Sequence, residues 1–140
     1  TANRAYAVRF VPSRRMVITK INFRLSTVSG TDDPVDVGIV SAAGAKLVTS
    51  GATTGKLNST TGTKSVTVAA TVLNAGTVYY AVLAANSTAT LEFAGVIGDA
   101  FGSAMPQAEA LYKATSYPIP TSLTAMTVTD SAPMLWVRES

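Results

Sequence analysis

The 140-residue sequence contains neither cysteine nor histidine. Without cysteine there can be no disulfides and no thiolate metal sites. Without histidine the commonest general base, the commonest zinc ligand and the side chain that titrates most readily near neutral pH are missing. Ser/His/Asp and Cys/His catalytic arrangements are therefore excluded, and the few lysines sit in no recognisable Ser/Lys motif. Charge is scarce as well: 14% of residues are charged, against about 25% in ordinary soluble domains. Ala, Val, Thr, Ser and Gly stand in their place, and the mean hydropathy is +0.30. The longest apolar run, Val78 to Ala85, falls far short of the ~20 residues that span a bilayer as a helix. No membrane partner is expected. No apolar stretch followed by a small-residue cleavage site lies near Thr1, so no signal peptide is expected either.

What the chain has in quantity is period-two alternation. Ile21, Phe23 and Leu25 fall on one face while Lys20, Asn22 and Arg24 fall on the other, the pattern of a strand with one buried side. Tyr6, Val8 and Phe10 alternate likewise, and Pro12-Ser13-Arg14-Arg15 makes a turn between the two runs. Val35, Val37 and Ile39 form a third strand, with Ser41 to Gly44 turning into a fourth at Lys46 to Ser50. Gly51 to Thr63 reads as an exposed polar loop. Lys64 to Ala70, Val78 to Ala85, Thr90 to Ala94 and Met134 to Arg138 complete eight strands. Bulky and β-branched residues on both faces of Val78 to Ala85 mark it as a central strand buried on both sides. Ser103 to Ala114 is predicted to hold a short helix beginning near Pro106, with Glu109 early and Lys113 late to suit its dipole.

These segments predict an all-β fold: one antiparallel β-sandwich domain over residues 1–140, of jelly-roll type with about eight strands. Ile21, Phe23, Val37, Val66, Val68, Tyr80, Val82 and Trp136 should be buried. Lys20, Arg24, Lys46 and Lys64 should be largely exposed.

Candidate sites are sparse. Arg4, Arg9, Arg14, Arg15, Lys20 and Arg24 crowd the first 24 residues of a chain with net charge +3, so a basic strand pair could face an acidic partner. Aromatics are not interleaved with these charges as nucleic-acid platforms require; a solvated sheet face and no nucleic-acid partner are expected. Asp32, Asp33 and Asp36 could bind calcium, yet the EF-hand spacing and its glycine are absent, and a solvated loop is the simpler reading. Glu92 and Asp99 could be a glycosidase pair, with no further signature in support. Gly95 to Gly98 lacks the lysine of a phosphate loop. Tyr112 and Tyr117 are candidate glycan contacts, while Trp136 is expected in the core. No cofactor, no metal and no catalytic residue is expected.

Four segments carry a resemblance. Met16-Val17-Ile18-Thr19-Lys20-Ile21 resembles the first long strand of a β-sandwich module found in phage tail and capsid-appendage proteins. Val37-Gly38-Ile39-Val40 with Ala43-Gly44 is similar to its short strand and small-residue turn. Leu73 to Ala81 resembles its glycine turn and aromatic strand, and Ser131 to Leu135 its closing strand. The resemblance implies a non-enzymatic structural component on a phage virion, a capsid decoration or a tail or head appendage. Its partners would be other virion proteins and copies of itself, as a trimer or lattice subunit. Similar segments occur in sugar-binding sandwiches, so the alternative is a carbohydrate-binding module that recognises a host surface glycan. Low charge fits a surface covered by neighbours. A hydrolase screen against glycans and esters should give no turnover; activity abolished by Glu92→Gln or Asp99→Asn would overturn this.

Overall fold

Tyr79–Ala85 has six consecutive buried residues, and the larger sheet is built around it. In the computed structural model the described residues are 4–85, 90–91, 93–95, 110–114, 117–123, 126–128, 131–133 and 135–139. They form twelve strands and no helix. These are β1 (Arg4–Phe10), β2 (Met16–Thr27), β3 (Val35–Ser41), β4 (Lys46–Thr49), β5 (Gly62–Leu73) and β6 (Tyr79–Ala85). There follow β7 (Thr90–Leu91), β8 (Phe93–Gly95), β9 (Ala110–Ala114), β10 (Thr127–Val128), β11 (Ser131–Pro133) and β12 (Leu135–Glu139). A six-stranded sheet runs β10-β9-β1-β6-β3-β4, and a smaller sheet runs β12-β2-β5 with β7 also on β2. Because Leu25 pairs Gly62 on one side and Leu91 on the other, β7 continues the β12 edge of β2. A separate ribbon joins β8 to β11. All these pairings are antiparallel.

The two main sheets form a β-sandwich. Ile21, Phe23 and Leu25 of β2 and Val66 and Val68 of β5 meet Val35, Val37, Ile39, Tyr79, Ala81 and Leu83 from the larger sheet. The alternation that places them is interrupted once. The β2–β5 register shifts between Ile18 and Lys20, so Ile18 and Ile21 are both fully buried although three residues apart. A bulge of this kind re-aims the strand without surrendering the core face.

The larger sheet is buried on its outer face too. Ala5, Ala7, Val40, Tyr80, Val82 and Ala84 lie there beneath Ile119 and Leu123, with Tyr117 and Met126 packed alongside. The alanines leave a shallow surface on which Tyr117 to Leu123 lies as a strap. Its C-terminal end is fixed by backbone bonds: Lys46 N–H donates to the Thr121 carbonyl at 3.0 Å, and Leu123 N–H to the Gly44 carbonyl at 2.8 Å. Gly44 has φ +90°, and a Cβ there would stand 2.2 Å from the Leu123 carbonyl oxygen. Only glycine satisfies both constraints. The Tyr117–Pro118 peptide is cis.

The sandwich is as the sequence predicts; the strand order of the described residues does not establish jelly-roll winding. Seven of the eight core residues named above are buried, and Trp136 is not: it is 38% exposed. It stands opposite Asn22, on the outer face of β2, while Leu135 and Val137 pack on the core. Arg24 and Lys46 are exposed as expected, but Lys20 and Lys64 are half-buried. Lys64 occupies the ladder position opposite Phe23 and donates to Thr60 Oγ1 at 2.8 Å. The predicted helix is corrected over Ala110–Ala114, which is strand β9 on the edge of β1; an open edge offers a short segment more backbone bonds than an isolated turn of helix. Residues 103–109 lie outside the described ones. The loop from Gly51 to Thr63 is not wholly exposed, since Leu57 is buried in the core and Gly62 and Thr63 open β5. The basic strand pair is not a pair: β1 and β2 belong to different sheets.

Phe23→Ala should lower the unfolding free energy by about 3–5 kcal/mol, the usual cost of emptying a buried aromatic site. Gly44→Ala should cost about 3 kcal/mol through backbone strain and the blocked approach of Leu123. Urea titration of both variants measures each value.

Candidate functional site

Among the described residues, polar chemistry gathers at two places. The first is beneath the strap. Asp36 is 2% exposed because it shares the outer-face parity of Val40 in β3, under Ile119. Its Oδ2 accepts the Ile119 N–H at 3.0 Å and its Oδ1 accepts the Ser50 hydroxyl at 3.4 Å. Burial pushes this carboxyl above the ordinary carboxylate range, opposed by hydrogen bonds from Ile119, Ser50 and Gly51 and by the charge of Lys46. The Tyr117 phenol is also held high, first by burial and then by the Asp36 charge. Its hydroxyl is buried with no hydrogen-bond partner.

The second place is the outer face of the smaller sheet. Cross-strand pairing sets Trp136, Asn22 and Ser65 in one row over β12, β2 and β5, and Arg138, Lys20 and Thr67 in the next. Asn22 is 7% exposed, and both its Oδ1 and the Ser65 hydroxyl are buried without a partner. An unpaired buried polar atom costs about 1–3 kcal/mol, so two side by side are unusual on the outside of a sheet. Beyond the far end of β12, Arg14 pairs with Glu139. Both side chains are well exposed and their pairing contributes little to stability.

Of the sequence candidates, the acidic segment is not gathered into one site. Asp32 Oδ1 accepts the Gly55 N–H at 2.6 Å, Asp33 Oδ2 accepts the Ser29 hydroxyl at 2.8 Å, and Asp36 is committed to the strap. No cluster of three or more metal-ligating side chains occurs among the described residues. Tyr117 is half-buried against the second core cluster. Tyr112 stands opposite Tyr6 in the β1–β9 ladder, its side chain outside the described ones. Glu92 and Asp99 lie outside the described residues. Sequence reasoning missed Asn22 and, having weighed Trp136 as an exposed aromatic, placed it in the core. The available signal was Asn22 at the middle of an alternating strand.

No match was found. Comparisons with family models, curated proteins and solved structures all ended without one. Function therefore has to be argued from this chain's own surfaces.

The raised Asp36 carboxyl yields a pH prediction. The folded chain binds this proton more tightly than the unfolded chain, so the Asp36 contribution to stability falls as pH rises from the unfolded value, about 3.9, through the folded one. In Asp36→Asn the amide oxygen still accepts the Ile119 N–H, but nothing ionises. The stability of the variant relative to the parent should grow as pH rises from about 4 and level off once the folded carboxyl has ionised, as read in urea titrations. A difference independent of pH would contradict the assignment.

Proposed function

We propose that this chain is a non-enzymatic structural component on the surface of a phage virion, a capsid decoration or a tail or head appendage that works by protein–protein assembly. The observation that supports it most is the state of two sheet edges. β4 ends the larger sheet and β5 ends the smaller one, and the two strands lie alongside each other. Each carries an exposed large apolar residue, Leu47 at 48% and Val72 at 45%. Unpaired edges bearing apolar side chains recruit other chains unless they are blunted by charge, proline or cover. The strap covers β4 at Lys46, whose N–H donates to the Thr121 carbonyl; beyond it Leu47 is in the open, and Lys46 and Lys64 are the described cations on the two strands. A surface this poor in charge is suited to being covered by neighbours. The four segments that resemble phage appendage modules agree with this reading, and the neighbours would be other virion proteins and further copies, as a trimer or a lattice.

The test is attachment. The labelled chain is mixed with shells and tails of the phage that carries it and sedimented, and the free chain is run alone at micromolar concentration. Co-sedimentation, or self-assembly beyond the 14.4 kDa monomer, is expected. Leu47→Lys and Val72→Lys should leave stability within about 0.5 kcal/mol, as exposed substitutions do, and should weaken attachment at least about tenfold, the value of one apolar contact of this size. A chain that stays monomeric and pellets with neither shells nor tails would defeat the proposal.

A further inference from the structure

The outer face of the smaller sheet has features that sheet stability does not explain. Lys20 and Arg138 stand directly opposite each other in the β2–β12 ladder, and like charges so placed oppose strand pairing. Neither has a carboxylate partner among the described residues. The described carboxylates are engaged elsewhere: Asp36 under the strap, Asp32 and Asp33 in the loop before β3, and Glu139 against Arg14. One residue along β12, on the same face, Trp136 is 38% exposed. Beside it lie Asn22, more than nine-tenths buried, and Ser65, with an amide oxygen and a hydroxyl that have no partner. The patch spans three strands about 4.8 Å apart and two rows about 6.6 Å apart, an area of the order of a disaccharide.

We infer that this face binds a carboxylated sugar of the uronic or sialic acid kind. A sugar of this class offers what each residue lacks. Its carboxylate would lie between Arg138 and Lys20 and relieve their repulsion, Arg138 taking it bidentately. Its apolar C–H face would cover the exposed indole, which is apolar over most of its area. Its hydroxyls would supply a donor to Asn22 Oδ1 and an acceptor or donor to Ser65 Oγ once the neighbouring side chains part. A second copy of this chain is disfavoured, because a two-fold contact would set these cations against themselves. Single-stranded nucleic acid would call for several aromatics along a longer cationic groove, and an acidic peptide has no hydroxyl-rich ring to match the indole and the amide. The site differs from one built on Tyr112 and Tyr117, and it does not rest on the virion reading.

Trp136 is the sole tryptophan of the chain, so intrinsic fluorescence reports directly on this face. The intact chain is titrated with polygalacturonate and polysialic acid, with dextran as the neutral polymer and poly-glutamate and a single-stranded oligonucleotide as non-sugar anions. A saturable change with at least one carboxylated polysaccharide, and none with dextran, is expected. Arg138→Ala should weaken it about tenfold or more, as loss of a charge-assisted bond does. Asn22→Ala, checked as folded by circular dichroism, should weaken it independently. No response to either carboxylated polysaccharide would overturn the inference. So would an equal response to poly-glutamate or the oligonucleotide, or unaltered binding in folded Arg138→Ala.

Discussion

The hydrogen bond from the Ile119 N–H to the Asp36 carboxylate joins two segments far apart in sequence, and the larger sheet depends on it. Without the strap, Ala5, Ala7, Val40, Val82 and Ala84 would form an apolar outer face open to water. With it, β6 is enclosed on both sides, which its unbroken apolar run from Tyr79 to Ala84 requires. A carboxylate is a costly anchor at such a place, and burial raises its proton affinity accordingly. The bonds from Ser50 and Ile119 offset part of that cost, and the backbone bonds at Gly44 and Lys46 hold the other end of the strap.

Legibility followed the physics of each segment. Where one face is buried and the other wet, as in Ile21, Phe23 and Leu25 against Arg24, alternation alone placed the side chains. Tyr79–Ala85 was equally plain, because a strand enclosed on both faces is apolar throughout. Trp136 was misjudged because Leu135, Trp136 and Val137 are all apolar, so alternation carries no parity there and size favoured the core. β9 was misjudged because Ala-Leu-Tyr-Lys-Ala has good helix formers, and its strand form is imposed by the open edge of β1. Asp36 was visible only as a member of an acidic run. Nothing local distinguishes a carboxylate that will lie under a strap contributed by residues 117–123.

The two faces of the smaller sheet show how a chain with little charge distributes it. The inner face is apolar where β2 and β5 cross the core, apart from Lys64 opposite Phe23. Lys20 and Arg138 stand on the outer face, in the row next to the single indole. The edges β4 and β5, by contrast, carry Leu47 and Val72 in the open. One surface is prepared for an anion and the other for a protein neighbour. Strand β5 takes part in both surfaces, with Ser65 and Thr67 towards one end and Val72 at the other.

The pairing of β2 also governs the order in which the molecule can be assembled. β5 follows β2 after one loop and can pair with it early, whereas β12 is synthesised long after both. Until β12 arrives, most of one side of β2 has unpaired N–H and C=O groups beside an apolar strand, the condition under which nascent chains associate wrongly. Long-range pairing of this kind also slows folding, because loop closure precedes any gain from contact. The like-charged pair of Lys20 and Arg138 sits in the ladder that closes late. Lys20 thus places a cation on the edge that β12 later covers, the kind of side chain that blunts an open strand.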